Sequence, residues 1–323
     1  MRTLLHALCG VAAAALSVAA LAQDPAYPTR PIRLVMPNAP GSSIDTVGRI
    51  VAARLGEQLG QPIVIENRAG ASGAIGMELG KNAPPDGYTL TVASASNMGI
   101  APLVQKNIAY DPVNDFAFIT TFVVMPNVLV VNPGLPIRNV QELIDYCRAN
   151  VGRVNMSSAG PGAASHLGGV LLLQMGKFES LHVPYKGGGP SMASVMAGES
   201  HWSIAPAPAA MAAVKGGRLR AIAHSLPQRG GLFSDMPAVA ETVVGYDYSG
   251  WAGVVAPKAT PKPILDKVHA ALARTVSEPA VKEALGNQGA EVSIRSPEAF
   301  RKFVEEDLAR NVVAVKAAGL RVE

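Results

Sequence analysis

Cysteine is nearly absent from this chain of 323 residues, which holds two, Cys9 and Cys147. Cys9 falls in an apolar leader that we expect to be removed, so the mature chain would carry a single thiol. That excludes an internal disulfide and with it a small stapled extracellular domain. No basic cluster of the kind that grips nucleic acid is present, because Lys and Arg are scattered. A G-x-S-x-G nucleophile turn is missing, Cys147 sits inside a helical pattern, and no acid pair shares a motif. A secreted hydrolase therefore remains only as the alternative from another class. His182, His201, His224 and His269 show no paired metal spacing, so neither a metal nor a cofactor is expected.

The N-terminus sets the compartment. Met1-Arg2 supplies a basic start, Leu4 to Leu21 is almost wholly apolar, and Ala20-Leu21-Ala22 offers small residues to a signal peptidase. Residues 1–22 read as a signal peptide cleaved before Gln23, with no basic stop-transfer cluster behind it. Loss of Arg2 lowers the formal charge from +4 to +3, a mild excess that favours anionic solutes. The remaining length exceeds the comfortable size of one core, so two domains are expected.

Short β-type runs alternate with helical patterns. Ile32-Arg33-Leu34-Val35-Met36 feeds the turn Pro37-Asn38-Ala39-Pro40-Gly41-Ser42-Ser43 and an amphipathic run from Asp45 to Leu59. Ile63-Val64-Ile65 leads to a second Gly-rich turn, Asn67 to Gly73. Further strands are expected at Thr89–Ala93, Val128–Val131, Val154–Ser157, Leu181–Val183, Trp202–Ile204 and Leu219–Ala223. Asn139 with Glu142 resembles a helix-capping pair, a helix is expected from Ser165 to Met175, and Pro261, Pro279 and Pro297 mark three later helix starts. The alternation predicts a doubly wound α/β protein with helices on both faces of each sheet.

A strand feeding a Gly/Ser turn and a helix points backbone N–H groups and the positive helix end at one spot. The device occurs twice, around residues 37–45 and 157–166. Ligands of such sheets bind beyond the carboxyl ends of strands, so two facing turns would clamp a small anion. Ser94 and Ser96, which follow a strand, join the candidate cleft. Gly160 to Ser165 imitates a dinucleotide loop, but secretion argues against NAD.

Ordered matches then run over the mature chain: Tyr27-Pro28-Thr29-Arg30-Pro31-Ile32, Glu66-Asn67-Arg68, Pro85-Asp86-Gly87-Tyr88-Thr89-Leu90, Pro126 to Pro133, Val183-Pro184-Tyr185-Lys186-Gly187-Gly188, and Thr260-Pro261-Lys262-Pro263. In these the chain resembles Bug-type periplasmic solute receptors, the substrate-binding components of tripartite tricarboxylate transporters. The resemblance implies a two-domain flytrap of the type II periplasmic binding class. Domain 1 would comprise residues 23–124 and 249–323, domain 2 residues 125–248, with hinge crossovers near Val124 and Tyr248. It implies a carboxylate held between one loop (Asn38, Ala39, Pro40, Gly41, Ser42, Ser43, Asp45) and another (Ser158, Ala159, Gly160, Gly162, Ala163, Ala164), with Ala205 nearby. It further implies a monomer that hands its ligand to a membrane permease or, alternatively, to a two-component sensor kinase.

At the cleft the chain departs from the family. Asn38 stands in place of an aromatic, Ser42 and Ser43 in place of glycines, and Ile44, Ala163 and Ala164 in place of small hydroxyls; Ser194 replaces a common aspartate. The departures point to one carboxylate held by backbone amides, on a ligand less polar than citrate. Asp45 reads as a helix cap and His166 as structural. Gly41 is expected to let the ligand approach the backbone closely, and Trp251 fits either a hinge lining or interface packing.

Overall fold

The computed structural model describes residues 27–320. The expected signal peptide and Cys9 lie outside the described residues. Two mixed sheets carry the fold. The first holds β1 (Ile32–Met36), β2 (Ile63–Asn67), β3 (Thr89–Ser94), β4 (Phe116–Met125), β10 (Gly250–Pro257) and β11 (Glu291–Val292), in the order β11-β4-β10-β3-β1-β2. The second holds β5 (Asn127–Val131), β6 (Asn155–Ser158), β7 (Leu181–Pro184), β8 (Trp202–Pro206) and β9 (Arg220–His224), in the order β7-β6-β8-β5-β9. β1 pairs in parallel with β2 and β3, and β6 with β7 and β8. The chain changes sheets through Pro126 alone on the way out, so β5 enters antiparallel to β8 and β9; on return β10 inserts antiparallel between β3 and β4.

The two crossings are tied side by side. Asn127 donates its backbone N–H to Ser225 Oγ (2.9 Å) and its Nδ2 to the Tyr248 carbonyl (2.8 Å), while Ser225 and Ser249 hydroxyls meet at 2.9 Å. Each lobe has its own core. Leu34, Met36, Val51, Leu55, Leu90, Ile119 and Val254 are buried in the first, and Leu129, Leu143, Met156, Leu167, Leu171, Trp202 and Ile222 in the second. The last helix, Pro297–Ala317, belongs to both. Phe300 and Val304 pack with Trp251 and Phe118 of the first lobe, while Ala314 and Val315 join Leu167, Leu171 and Tyr248.

Local chemistry sets several boundaries. Asn139 Oδ1 accepts from the Glu142 N–H (2.8 Å), and Glu142 reaches back to the Arg138 N–H (2.7 Å), closing the start of helix Val140–Ala149. Helices begin at Lys262, Pro279 and Pro297, and of these only the last has a side-chain cap, Ser296. Cys147 is buried in its helix, and burial pushes its thiol up to about 12. Among the described residues no helix is long and apolar enough to cross a membrane.

Candidate functional site

In the first lobe the turn after β1 closes on itself. Ser42 caps helix Ser43–Leu59 by accepting from the Asp45 N–H. Asp45 is buried and accepts from the Gly41 N–H (2.9 Å), Asn67 Nδ2 (2.7 Å) and Arg49 Nε (2.8 Å). Burial alone would raise this carboxyl, but the bonds from Arg49, Asn67 and Gly41 outweigh it and hold the group at about 2. The Gly41 amide therefore already has a carboxylate partner, its own chain's. Asn38, Ala39, Pro40, Gly41, Ser42, Ser43 and Asp45 all stay outside the cavity wall, and the residue this turn contributes is Ile44. A side chain at Gly41 would meet no atom of the protein within 4 Å, and its φ of +78° by itself favours glycine there.

The floor comes from the end of β3 and from a second turn. Ser94, Ala95 and Ser96 line the cavity. The Ser94 N–H is held by Asn97 Oδ1 at 2.8 Å, whereas its buried hydroxyl has no partner among the described residues. Ser72 lines the wall from a turn in which Ala71 and Ser72 both adopt positive φ, 46° and 55°. Backbone strain of this kind concentrates at ligand sites. The sequence flagged the run Asn67–Gly73 as Gly-rich, a signal that could have placed Ser72. Trp251 of β10 packs in the first-lobe core against Phe300 and Phe303 and also lines the cavity.

The second lobe supplies the opposite wall. After β6 the chain turns through Ala159 to Gly162, and helix Ala164–Gly176 starts behind Ala163. Ala163 occupies the N-cap position (φ −65°, ψ 154°) but has no oxygen to offer. The N–H groups of Ala164, Ser165 and His166 thus have no partner among the described residues. Helix Gly188–Ala197 likewise starts behind Gly187 with no side-chain cap.

Between these walls lies a cavity of about 510 Å3, which Pro161, Gly162, Ala163 and Ala164 close from the second lobe. A smaller chamber of about 280 Å3 continues behind Ala163 and Ala164, lined by Ala159, Ser165, Gly188, Gly189, Ser191, Ser203 and Ala205 among others. Of the expected residues, Ser94, Ser96, Ala159, Gly162, Ala163, Ala164 and Ala205 line one chamber or the other, while Ser158 and Gly160 hold the loop from behind. Among the described residues, neither chamber is lined by an ionisable side chain. The described lining residues that can meet a charge here do so through backbone amides, hydroxyls and helix ends.

The profile of the tripartite tricarboxylate transporter family receptors matches residues 47–320. The chain belongs to that family. BugT of Bordetella pertussis is 32% identical over 326 residues, spanning 99% of each chain. The solved structure of Rpa4515 from R. palustris with adipate is 32% identical, with a TM-score of 0.73 over 92% of this chain and 100% of that one. MatC from Rhodopseudomonas palustris, solved with bound malate, is 30% identical, with a TM-score of 0.68 over 90% of this chain and 100% of that one. The receptor thus has the two-lobed fold of periplasmic solute-binding proteins, as its sequence implied.

Two histidines brace the receptor's second-lobe turn. His166 Nδ1 accepts from the Gly162 N–H (3.1 Å), and its ring stacks on His182 with centroids 3.9 Å apart. His182 Nε2 meets Ser158 Oγ at 2.7 Å, and that oxygen accepts from the Gly160 N–H at 3.1 Å. Burial, then the neighbouring His182, lowers His166 from 6.5 to about 4. This depressed value favours the neutral ring in the folded state, so the stability it contributes is full above about 6.5 and lost as pH falls toward about 4. Protonation turns Nδ1 from acceptor to donor and expels the Gly162 amide. Ligand affinity should therefore fall toward about pH 4 more steeply than protonation of a carboxylate ligand alone requires, and His166→Asn, an acceptor without a proton to gain, should remove that excess. Calorimetric titrations at neutral and acid pH check it; an unchanged pH profile in the variant removes His166 from the role.

Proposed function

We propose that the receptor captures a small carboxylate in the cavity between its lobes and delivers it in the periplasm to a tripartite tricarboxylate-type permease. The observation that carries this reading is the uncapped start of helix Ala164–Gly176, where Ala163 and Ala164 line a cavity shared by both lobes. Adipate and malate in the two Rhodopseudomonas receptors are carboxylates of the same size class. The unpartnered Ser94 hydroxyl and Ser96 stand on the first-lobe side of the same cavity. A ligand touching both walls favours the closed arrangement, since only differential affinity can shift that equilibrium.

On this reading the lobes are residues 23–124 with 249–323, and residues 125–248. The helix Pro297–Ala317 straddles the division and acts as a strap between them. The chain works as a monomer after cleavage of residues 1–22. A thermal-shift screen of the mature protein against mono-, di- and tricarboxylates tests the reading. Binding at a ligand concentration of about 100 Kd adds about 2.7 kcal/mol of stability and raises Tm by several degrees. No shift with any carboxylate, confirmed by absence of calorimetric heat, would refute it.

A further inference from the structure

The cavity is chemically lopsided. On the second lobe, helices Ala164–Gly176 and Gly188–Ala197 both begin without a side-chain cap. On the first lobe the corresponding helix end is already supplied with negative charge. Ser42 caps its third amide, and the Asp45 carboxylate sits in its first turn. Anion binding at that end is opposed by Asp45, and the side chain exposed there is Ile44. The wall continues with Ile100, Val104, Met125 and Leu320, with Gln105 as a neutral polar group.

We propose that this receptor selects a monocarboxylate with an apolar body, its single charged end on the second-lobe amides and its body against the Ile44–Met125–Leu320 wall. The inference rests on the carboxylate reading above and names the class within it. A carboxylate at the start of helix Ala164–Gly176 meets free N–H groups and a positive helix end. The hydroxyls of Ser94, at 1% exposure and without a partner, and of Ser96 and Ser72 face the cavity from the first lobe. They can bridge the same head group and so couple its arrival to closure. A second carboxylate laid against Ile44, Val104, Met125 and Leu320 would lose its hydration where, among the described residues, no cation lines the wall, and Asp45 in the first turn of the first-lobe helix opposes it. An alkyl or aryl body there instead removes apolar wall from water. A site that presents one polar end and one apolar wall rejects an added charge far more strongly than an added methylene.

Three six-carbon probes separate the possibilities by calorimetric titration of the mature protein: hexanoate, adipate and hexanamide. Hexanoate should bind at least about tenfold tighter than adipate, which differs only in carrying the second carboxylate, and at least about tenfold tighter than hexanamide, which lacks the charge. Ile44→Ser, which puts a hydroxyl on the wall, should narrow the gap between hexanoate and adipate. Adipate binding as well as or better than hexanoate overturns the inference and leaves the carboxylate reading standing. Hexanamide matching hexanoate overturns both. Heat from none of the three overturns the inference, while the wider carboxylate screen decides the receptor reading separately. An unchanged ratio in Ile44→Ser also contradicts the placement of the body.

Discussion

Replacing Ala163 by aspartate should make the unliganded receptor more stable and all but abolish its affinity for carboxylates. Ala163 already has the extended backbone of an N-cap residue, φ −65° and ψ 154°, so an aspartate fits without rearrangement. Its carboxylate would accept from the open amides of the first turn, a change worth about 1 kcal/mol of folding stability. The same carboxylate would occupy the donors proposed for the ligand and repel an incoming anion, and a loss of at least about 100-fold in affinity is expected. Ala163→Ser separates the two effects: it should stabilise comparably but weaken binding less, because it adds no charge. Scanning calorimetry and binding titration read the two quantities independently. An Ala163→Asp variant that is stabilised and still binds carboxylates normally would show that the ligand sits elsewhere.

A loss of about 3 kcal/mol is expected from Asp307→Ala, at the low end of what breaking a buried charge pair costs. Asp307 is buried under the cavity floor on the helix Pro297–Ala317. It accepts from Trp251 Nε1 (3.1 Å) and from Arg310 Nη2 (3.3 Å), and Arg310 also faces Asp247 at 3.7 Å. A Cβ at Gly99 would come within 2.4 Å of the Asp307 carboxylate, so the floor turn is fitted against it. Alanine here leaves the Trp251 indole unpaired and Arg310 with one distant partner. Because Trp251 also lines the cavity, ligand affinity should fall with stability. Asp307→Asn, which keeps an acceptor for Trp251, should cost about 1 kcal/mol.

The pH dependence gives this prediction a second handle. Burial, opposed by Arg310 and Trp251, raises the Asp307 carboxyl from 3.8 to about 6. A raised carboxyl stabilises the fold fully below its unfolded value and loses that contribution as pH rises through about 6. The asparagine variant should therefore gain on the wild type over that interval. His166 changes stability in the opposite sense over part of the same range, so the difference between variant and wild type is the quantity to follow. Parallel curves across the interval would contradict a buried, titrating Asp307.

Much of the fold was legible because the signals are local. The strands β1, β2, β3 and β5 to β9 sit within a residue or two of their β-type runs, and the proline-marked helix starts appear where expected. β4, β10 and β11 were not read. β10 is buried along almost its whole length and carries glycines and a terminal proline, so it shows no alternation. β11 is two residues long and exists only because β4 offers it an edge. Nor does the amphipathic pattern of Pro297–Ala317 reveal that its two ends pack into different cores.

The site divides in the same way. The second-lobe part of the cavity wall coincides with the expected Ser158–Ala164 loop, because an uncapped helix start after a glycine turn is a local feature. On the first-lobe side the cavity wall differs from the expected loop for a reason no local pattern shows. Asp45 folds back on Gly41 and is fixed there by Asn67 and Arg49, the former 22 residues away in sequence. That closes the amide turn and leaves Ile44 at the cavity. His182, which braces the second-lobe loop through Ser158, comes 24 residues after it.

The most direct test of carboxylate capture at the uncapped helix is to watch its amides. In a nitrogen-edited NMR titration of the mature receptor with hexanoate and with adipate, the N–H resonances of Ala164, Ser165 and His166 should shift downfield on binding. Those of Gly41 and Asp45, already engaged within the first-lobe turn, should move far less. Saturable binding that left the three second-lobe amides unmoved while shifting the Gly41 turn would contradict the account and return the anion to the first lobe.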